Sequence, residues 1–168
     1  MLNEVVDLVN HAVESARALA HGLSPVILER GGLPAALDQL AASATRTHGI
    51  RVLFRKAIQG EIDFDSTATH HLYRIAQEAV TNAARHSGAS AVSIRLEADA
   101  ERMTLTISDD GRGLPPPDDS ARSHDGMGLR IMEYRARMMH AQFALEAMPR
   151  GGTRVQVTLA RCPNADRG

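Results

Sequence analysis

Two short segments constrain this chain most. Val92, Ile94 and Leu96 alternate with polar residues, Met103, Leu105 and Ile107 do the same, and the polar turn Asp99-Ala100-Glu101 lies between them. Period-two alternation puts each set on one face of a strand, so the pair reads as a hairpin with one apolar side. Such a face is stable only beneath a second layer. Material for that layer precedes it: from Ser66 to His86 the residues Leu72, Ile75, Ala76, Ala79, Val80 and Ala83 recur at helical spacing, and Ser87-Gly88 ends the run.

The remaining segments fit the same plan. Ile50 to Phe54 reads as a strand, Met127 to His140 as a helix, and Phe143/Leu145/Ala147 with Val155/Val157/Leu159 as a closing hairpin around Pro149-Arg150-Gly151-Gly152. Gly113 to Gly126, with three consecutive prolines and no apolar periodicity, reads as a loop, functional or disordered at that length. The order of elements predicts an α+β fold, a two-layer sandwich of helices on a mixed, mostly antiparallel sheet. At 168 residues one compact domain is expected, with room for an appended element.

That element stands at the N-terminus. Leu2, Val5, Val9, Ala12, Ala16 and Leu19 have the 3, 4, 3, 4, 3 spacing of a helix seam. Either the chain begins inside a longer helix, or this helix docks on its own domain. Gly22, Pro25, Gly31-Gly32 and Pro34 then punctuate the chain, and Ala35 to Ala42 reads as a second helix.

Composition removes several classes of function. With 19 basic and 20 acidic residues the formal charge is -1, so no broad field favours nucleic acid or an anionic membrane, and a charged ligand must be met locally. The single cysteine, Cys162, can form neither an internal disulfide nor a Cys-rich zinc site. No apolar run reaches membrane-spanning length, and Met1-Leu2-Asn3-Glu4 does not open a signal peptide, so the expectation is a soluble, cytoplasmic chain without membrane contact. The only lysine, Lys56, follows Arg55 rather than glycine, which excludes a P-loop.

Three groups of residues carry chemistry. Glu78, Asn82, Arg85 and His86 fall within an arc of roughly 100° beside the apolar stripe of their helix. Alone they fit a solvated helix face or a metal-phosphate site, in which Glu78 and Asn82 offer hard oxygens and Arg85 and His86 meet phosphate. In Ser108-Asp109-Asp110-Gly111-Arg112-Gly113, Asp109 continues the inward phase of Met103, Leu105 and Ile107, so a carboxylate faces the core and needs a donor. The other reading is a turn in which Asp109 or Asp110 caps local amides. Thr153 is in phase with Val155, Val157 and Leu159, which can bring its hydroxyl near Asp109. Third, Gly126 and Gly128 open a helix, either as a hinge or as an anion site built from helix-end amides.

In this order, Glu78-x-x-x-Asn82-x-x-Arg85-His86, Asp109-x-Gly111-x-Gly113, a loop, Gly126-x-Gly128 and Gly152-Thr153, the motifs resemble the ATP-binding domain shared by sensor histidine kinases and the gyrase, Hsp90 and MutL ATPases. The likeness covers about residues 45 to 160. Gln77 to Ala89 and Gly128 to Arg137 look most like the nitrate-sensor branch of the kinases, and Arg17 to Pro25 with Gly31-Gly32-Leu33 is similar to the end of that branch's dimerisation hairpin. The resemblance implies a Bergerat-type ATP-binding fold at residues 45–161, a remnant of the dimerisation helix and a connecting helix at 1–44, and a tail at 162–168.

It also implies roles. Asn82 would hold Mg²⁺, Asp109 would accept from the adenine amino group, and Gly111 and Gly113 would lie beside the base. Leu114 would begin a lid that runs to Asp125 and lacks the phenylalanine many relatives carry. Gly126, Gly128 and the Leu129 amide would contact phosphates, with Arg85 and His86 at the same end and Thr153 joined to Asp109 through water. Glu78 matches the residue that polarises attacking water in hydrolytic relatives, and in a kinase would orient the acceptor histidine or the metal. The implied partners are ATP, a histidine-bearing dimerisation domain, with a homodimer, and a response regulator downstream.

The acceptor histidine of the family is ordinarily followed by an acidic residue, and here only His124-Asp125 has that order, inside the lid. His11 and His21 do not fit. The expectation is a kinase catalytic domain whose substrate histidine is supplied elsewhere, in a parent kinase that can be membrane-anchored. Two rivals remain at this level. An ATP-hydrolysing conformational switch of the same superfamily needs a phosphate-binding lysine from a further domain, and a degenerate protein-binding module does not need the intact Asn82, Asp109 and glycines.

Overall fold

The computed structural model describes residues 26–60, 66–114 and 125–160. The N-terminal seam, His11, His21, most of the lid with His124, and the tail with Cys162 lie outside the described residues. In chain order the elements are α1 (Val26–His48), β1 (Arg51–Ile58), α2 (Ser66–His86), β2 (Ala91–Ala98), β3 (Arg102–Asp109), α3 (Asp125–Met138), β4 (Gln142–Ala147) and β5 (Thr153–Ala160).

The five strands form one sheet in the order β1-β2-β3-β5-β4. β1 and β2 are parallel, and the other three pairs are antiparallel, which is the mixed, mostly antiparallel sheet expected. In the β2–β3 hairpin Ile94 pairs with Ile107 and Leu96 with Leu105, so the two alternations meet in register. The six inward residues Val92, Ile94, Leu96, Met103, Leu105 and Ile107 are each 3% exposed or less. In the closing hairpin Phe143 pairs with Val157 and Leu145 with Val155.

The helices supply the second layer. The α2 stripe is buried as its spacing predicts, with Ala68 added at its start, and α3 contributes Met132 and Ala136. A β1–α2–β2 crossover covers the sheet in the way a parallel pair requires. The opposite face, with Ser93, Arg95, Glu97, Thr104, Thr106, Ser108, Arg154 and Gln156, is a polar groove.

α1 is broken at Gly32 (φ 66°, ψ −173°), two residues before Pro34. Beyond the break Leu33, Leu37, Ala41 and Ala44 join the same core as Val52 and Leu72. Thr45 then staples the helix to the sheet: its hydroxyl donates to the Ala41 carbonyl at 2.9 Å and accepts from the Val52 amide at 3.1 Å. The boundary that the sequence suggests between 44 and 45 falls inside this helix. β1 runs four residues past Phe54, to Ile58. α3 starts two residues earlier than its apolar pattern, at Asp125, and stops two residues earlier, at Met138, where His140 soon turns the chain left-handed at φ 53°. Among the described residues no helix is long and apolar enough to cross a membrane.

Candidate functional site

Glu78 and Asn82 stand one turn apart on α2, half-buried at the edge of its apolar stripe. The first turn of α3 lies on them. A β-carbon built on Gly128 would come 2.3 Å from Glu78 Oε1 and 3.1 Å from Asn82 Nδ2, so glycine lets the helix approach without displacing the end of the Glu78 side chain. Gly126 precedes it in the same turn, and the half-buried Leu129 packs against the core behind it. The amides of a first helical turn have no partner within the helix, so this end presents donors and the positive pole of the helix dipole. The Glu78 carboxylate, the Asn82 carboxamide and a set of main-chain donors therefore meet at one place.

Asp109 ends β3, half-buried as its phase predicts. Its Oδ1 accepts from the Gly111 amide at 2.8 Å and its Oδ2 from the Thr153 amide at 3.2 Å. Each oxygen retains capacity for another donor. The contact from Thr153 is made by its main-chain amide, whereas the sequence suggests its hydroxyl.

The turn that follows is held between two walls. A β-carbon on Gly111 would lie 2.4 Å from Ser87 Oγ, and one on Gly152 (φ 89°) would lie 1.9 Å from the Asp109 carbonyl oxygen. Gly113 (φ 82°) faces the Gly152 carbonyl. Ser87 is itself fixed, donating through Oγ to the Ala83 carbonyl at 2.7 Å and accepting from the Ala89 amide at 3.1 Å. The Arg112 amide donates to the Ser87 carbonyl at 3.0 Å, and the Arg112 guanidinium donates to the His86 carbonyl. Asn82 precedes His86 by one turn, about 6 Å along α2, so the Asp109 turn and the α3 terminus flank one end of a single helix.

Arg85 and His86 are exposed in the last turn of α2, where both side chains extend beyond the packed layer. Glu78, Asn82 and Gly128 are brought together, as are Asp109, Gly111, Gly113 and Thr153. Sequence reasoning offers Asp110 only as a cap of local amides, and it misses the long-range brace and Arg135. Asp110 accepts from the Ser90 amide and hydroxyl and from the Ala91 amide, and these bonds, the hydroxyl first, hold its carboxyl below the usual carboxylate value. Its outward phase beside Asp109 marks it in the sequence only as solvent-facing. Arg135 on α3 lies near Glu78 and Arg74 of α2: burial first, then Arg74, pushes its guanidinium down, while Glu78 opposes them.

Comparison with known proteins follows the same outline. Residues 67–162 match the family described as histidine kinase-, DNA gyrase B- and HSP90-like ATPase. The chain is 37% identical over 131 residues to sensor histidine kinase MctS of Rhizobium johnstonii, covering 77% of this chain and 28% of that protein. To sensor histidine kinase NarS of Mycobacterium tuberculosis it is 34% identical over 144 residues, covering 83% and 32%. The chain thus spans less than a third of each of these two relatives. Its fold is similar to that of the ATP binding domain of PrrB from Mycobacterium tuberculosis, with a TM-score of 0.59 and 23% identity over 76% of this chain and 92% of that one.

Proposed function

This chain belongs to the histidine kinase-, DNA gyrase B- and HSP90-like ATPase family, and from that premise we propose that it binds Mg-ATP and donates the γ-phosphoryl group to a histidine on a dimerisation domain in two-component signalling. The observation that carries this reading is the seat of Gly128 on Glu78 and Asn82, which joins helix-end donors for phosphate to oxygens for a divalent ion. The kinase branch is supported by relatives described as sensor histidine kinases.

Asp109 accepts from the adenine amino group, and Gly111 and Gly113 let the base approach the backbone. The amides at Gly126, Gly128 and Leu129 receive the phosphates, with Arg85 and His86 at the same end. Asn82 supplies a carboxamide oxygen to Mg²⁺, and Glu78 orients the metal or the acceptor histidine. Asn82 would hold the ion with few other protein ligands, leaving room for phosphate oxygens and water, as Mg²⁺ generally takes. The ion, when bound, neutralises charge on the transferring phosphoryl group, while the protein's share is positioning. We assign α1 from Leu33 onward to the nucleotide-binding unit, because it shares the unit's core. The dimerisation domain, a homodimer built on it and a response regulator downstream complete the reading.

Titration with ATP and Mg²⁺, followed by γ-labelled ATP with a separate histidine-bearing dimerisation hairpin, tests it. Binding below millimolar ATP and acid-labile label on the hairpin are expected. Absence of binding at millimolar ATP would overturn the nucleotide reading, and binding with hydrolysis but without transfer would favour the ATP-hydrolysing switch.

A further inference from the structure

We propose that Asp110 is a positioning residue for base recognition: it fastens the Asp109–Gly113 turn to the connection between α2 and β2, so that Asp109 keeps its aim at the exocyclic amine of the base. The inference rests on the reading of Asp109 given above.

Asp110 is an exposed side chain, and an exposed aspartate is ordinarily held only by water. Here three donors fix it. Oδ1 accepts from two successive amides, Ser90 at 2.8 Å and Ala91 at 2.9 Å, while Oδ2 accepts from the Ser90 hydroxyl at 2.5 Å. The Asp110 amide donates in return to the Ala91 carbonyl at 3.2 Å. All four bonds join residue 110 to residues 90 and 91. The next two residues are fastened to the same connection, Gly111 by its packing against Ser87 and Arg112 by its bond to the Ser87 carbonyl. On the other side Asp109 is held by the Thr153 amide and by the backbone of Gly152. The two acids thus divide the work. Successive residues of a strand end point to opposite faces, so Asp109 turns inward toward the ligand and Asp110 outward toward its brace.

The peptide between them transmits any slackening. A hydrogen bond near 2.9 Å weakens steeply when the acceptor moves by half an ångström or rotates out of line. Loss of the brace should therefore reduce recognition of the amine more than it reduces contacts to phosphate, which are made from α2 and α3. A merely structural Asp110 would instead lower the melting temperature and weaken every ligand alike.

The discriminating measurement is the ratio of affinities for ATP and for purine riboside triphosphate, which lacks the exocyclic amine, both with Mg²⁺. In the unaltered protein ATP should bind better. Asp110→Ala should bring the ratio down by about tenfold, the worth of one polar match. Asp110→Asn should restore it to within about twofold, because its amide oxygen can still accept from the Ser90 and Ala91 amides and its NH₂ can donate to the Ser90 hydroxyl. Equal weakening of both nucleotides in Asp110→Ala, or an unchanged ratio, overturns the proposal while leaving the reading of Asp109 standing. No preference for ATP in the unaltered protein overturns that reading and this inference with it. Should Asp110→Ala fail to fold, Ser90→Ala removes the hydroxyl bond alone: a lowered ratio supports the proposal, and an unchanged one overturns it.

Discussion

The main-chain amide of Thr153 donates to Asp109 Oδ2 at 3.2 Å, across 44 residues of sequence. The ladder between β3 and β5 runs as far as the pair Ser108 and Arg154. At the next step a side-chain carboxylate takes the amide, so Asp109 is tied to the start of β5. Both Asp109 oxygens thereby have a main-chain donor.

Asp109→Asn follows from that arrangement. Asparagine keeps the size of the side chain but replaces an acceptor oxygen by a donor, so its NH₂ would face the adenine amino group donor to donor. One buried polar mismatch costs about 1–3 kcal/mol, so ATP affinity in the folded variant should fall roughly 5- to 150-fold. Calorimetric titration checks this, and unchanged affinity would remove Asp109 from the site.

Asn82→Ala separates metal from base. It should weaken Mg-ATP far more than adenosine, because in the proposed reading the oxygen removed serves the ion and phosphates. Equal losses for the two ligands would make Asn82 a structural residue.

Two glycines should respond oppositely to alanine. At Gly152 the new β-carbon would meet the Asp109 carbonyl at 1.9 Å with φ at 89°, and backbone cannot yield. A loss of about 3 kcal/mol or more is expected, roughly 6–12 °C in melting temperature. At Gly128 the obstacle at 2.3 Å is the far end of the Glu78 side chain, which can swing away. Gly128→Ala should therefore leave stability within about 1 kcal/mol while reducing phosphoryl transfer, and a variant that lost stability but kept transfer would contradict this.

Asp110 predicts a pH dependence. Its carboxyl lies below the usual carboxylate value, held first by the Ser90 hydroxyl and then by the Ala91 amide. The unfolded chain then binds more protons than the native one near pH 4, so the stabilisation is present above that pH and is lost as pH falls through the native value. Asp110→Asn should flatten the acid limb of melting temperature against pH from about pH 4 downward, and an unaltered limb would show that Asp110 does not contribute to it.

The parts legible in the sequence are those that repeat along one element. Val92, Ile94, Leu96, Met103, Leu105 and Ile107 are buried together because alternation records which face of a strand leaves water, and the α2 stripe is buried for the same reason at helical period. The site motifs were legible too, since glycine and acidic residues stand where backbone must approach or charge must be met. Their bracing was not. Asp110 reaches Ser90 across 20 residues and Arg112 reaches His86 across 26, and no local pattern distinguishes such an acid or arginine from one that faces solvent.

The sequence by itself determined which faces are buried, because hydrophobic burial is written in the period of each element. Only the tertiary structure decided that β1 lies parallel to β2, that β5 enters between β3 and β4, and that Gly128 rests on Glu78. Those choices depend on which elements meet in space, where hydrogen bonds and close contacts act over a few ångströms regardless of how far apart along the chain their residues lie.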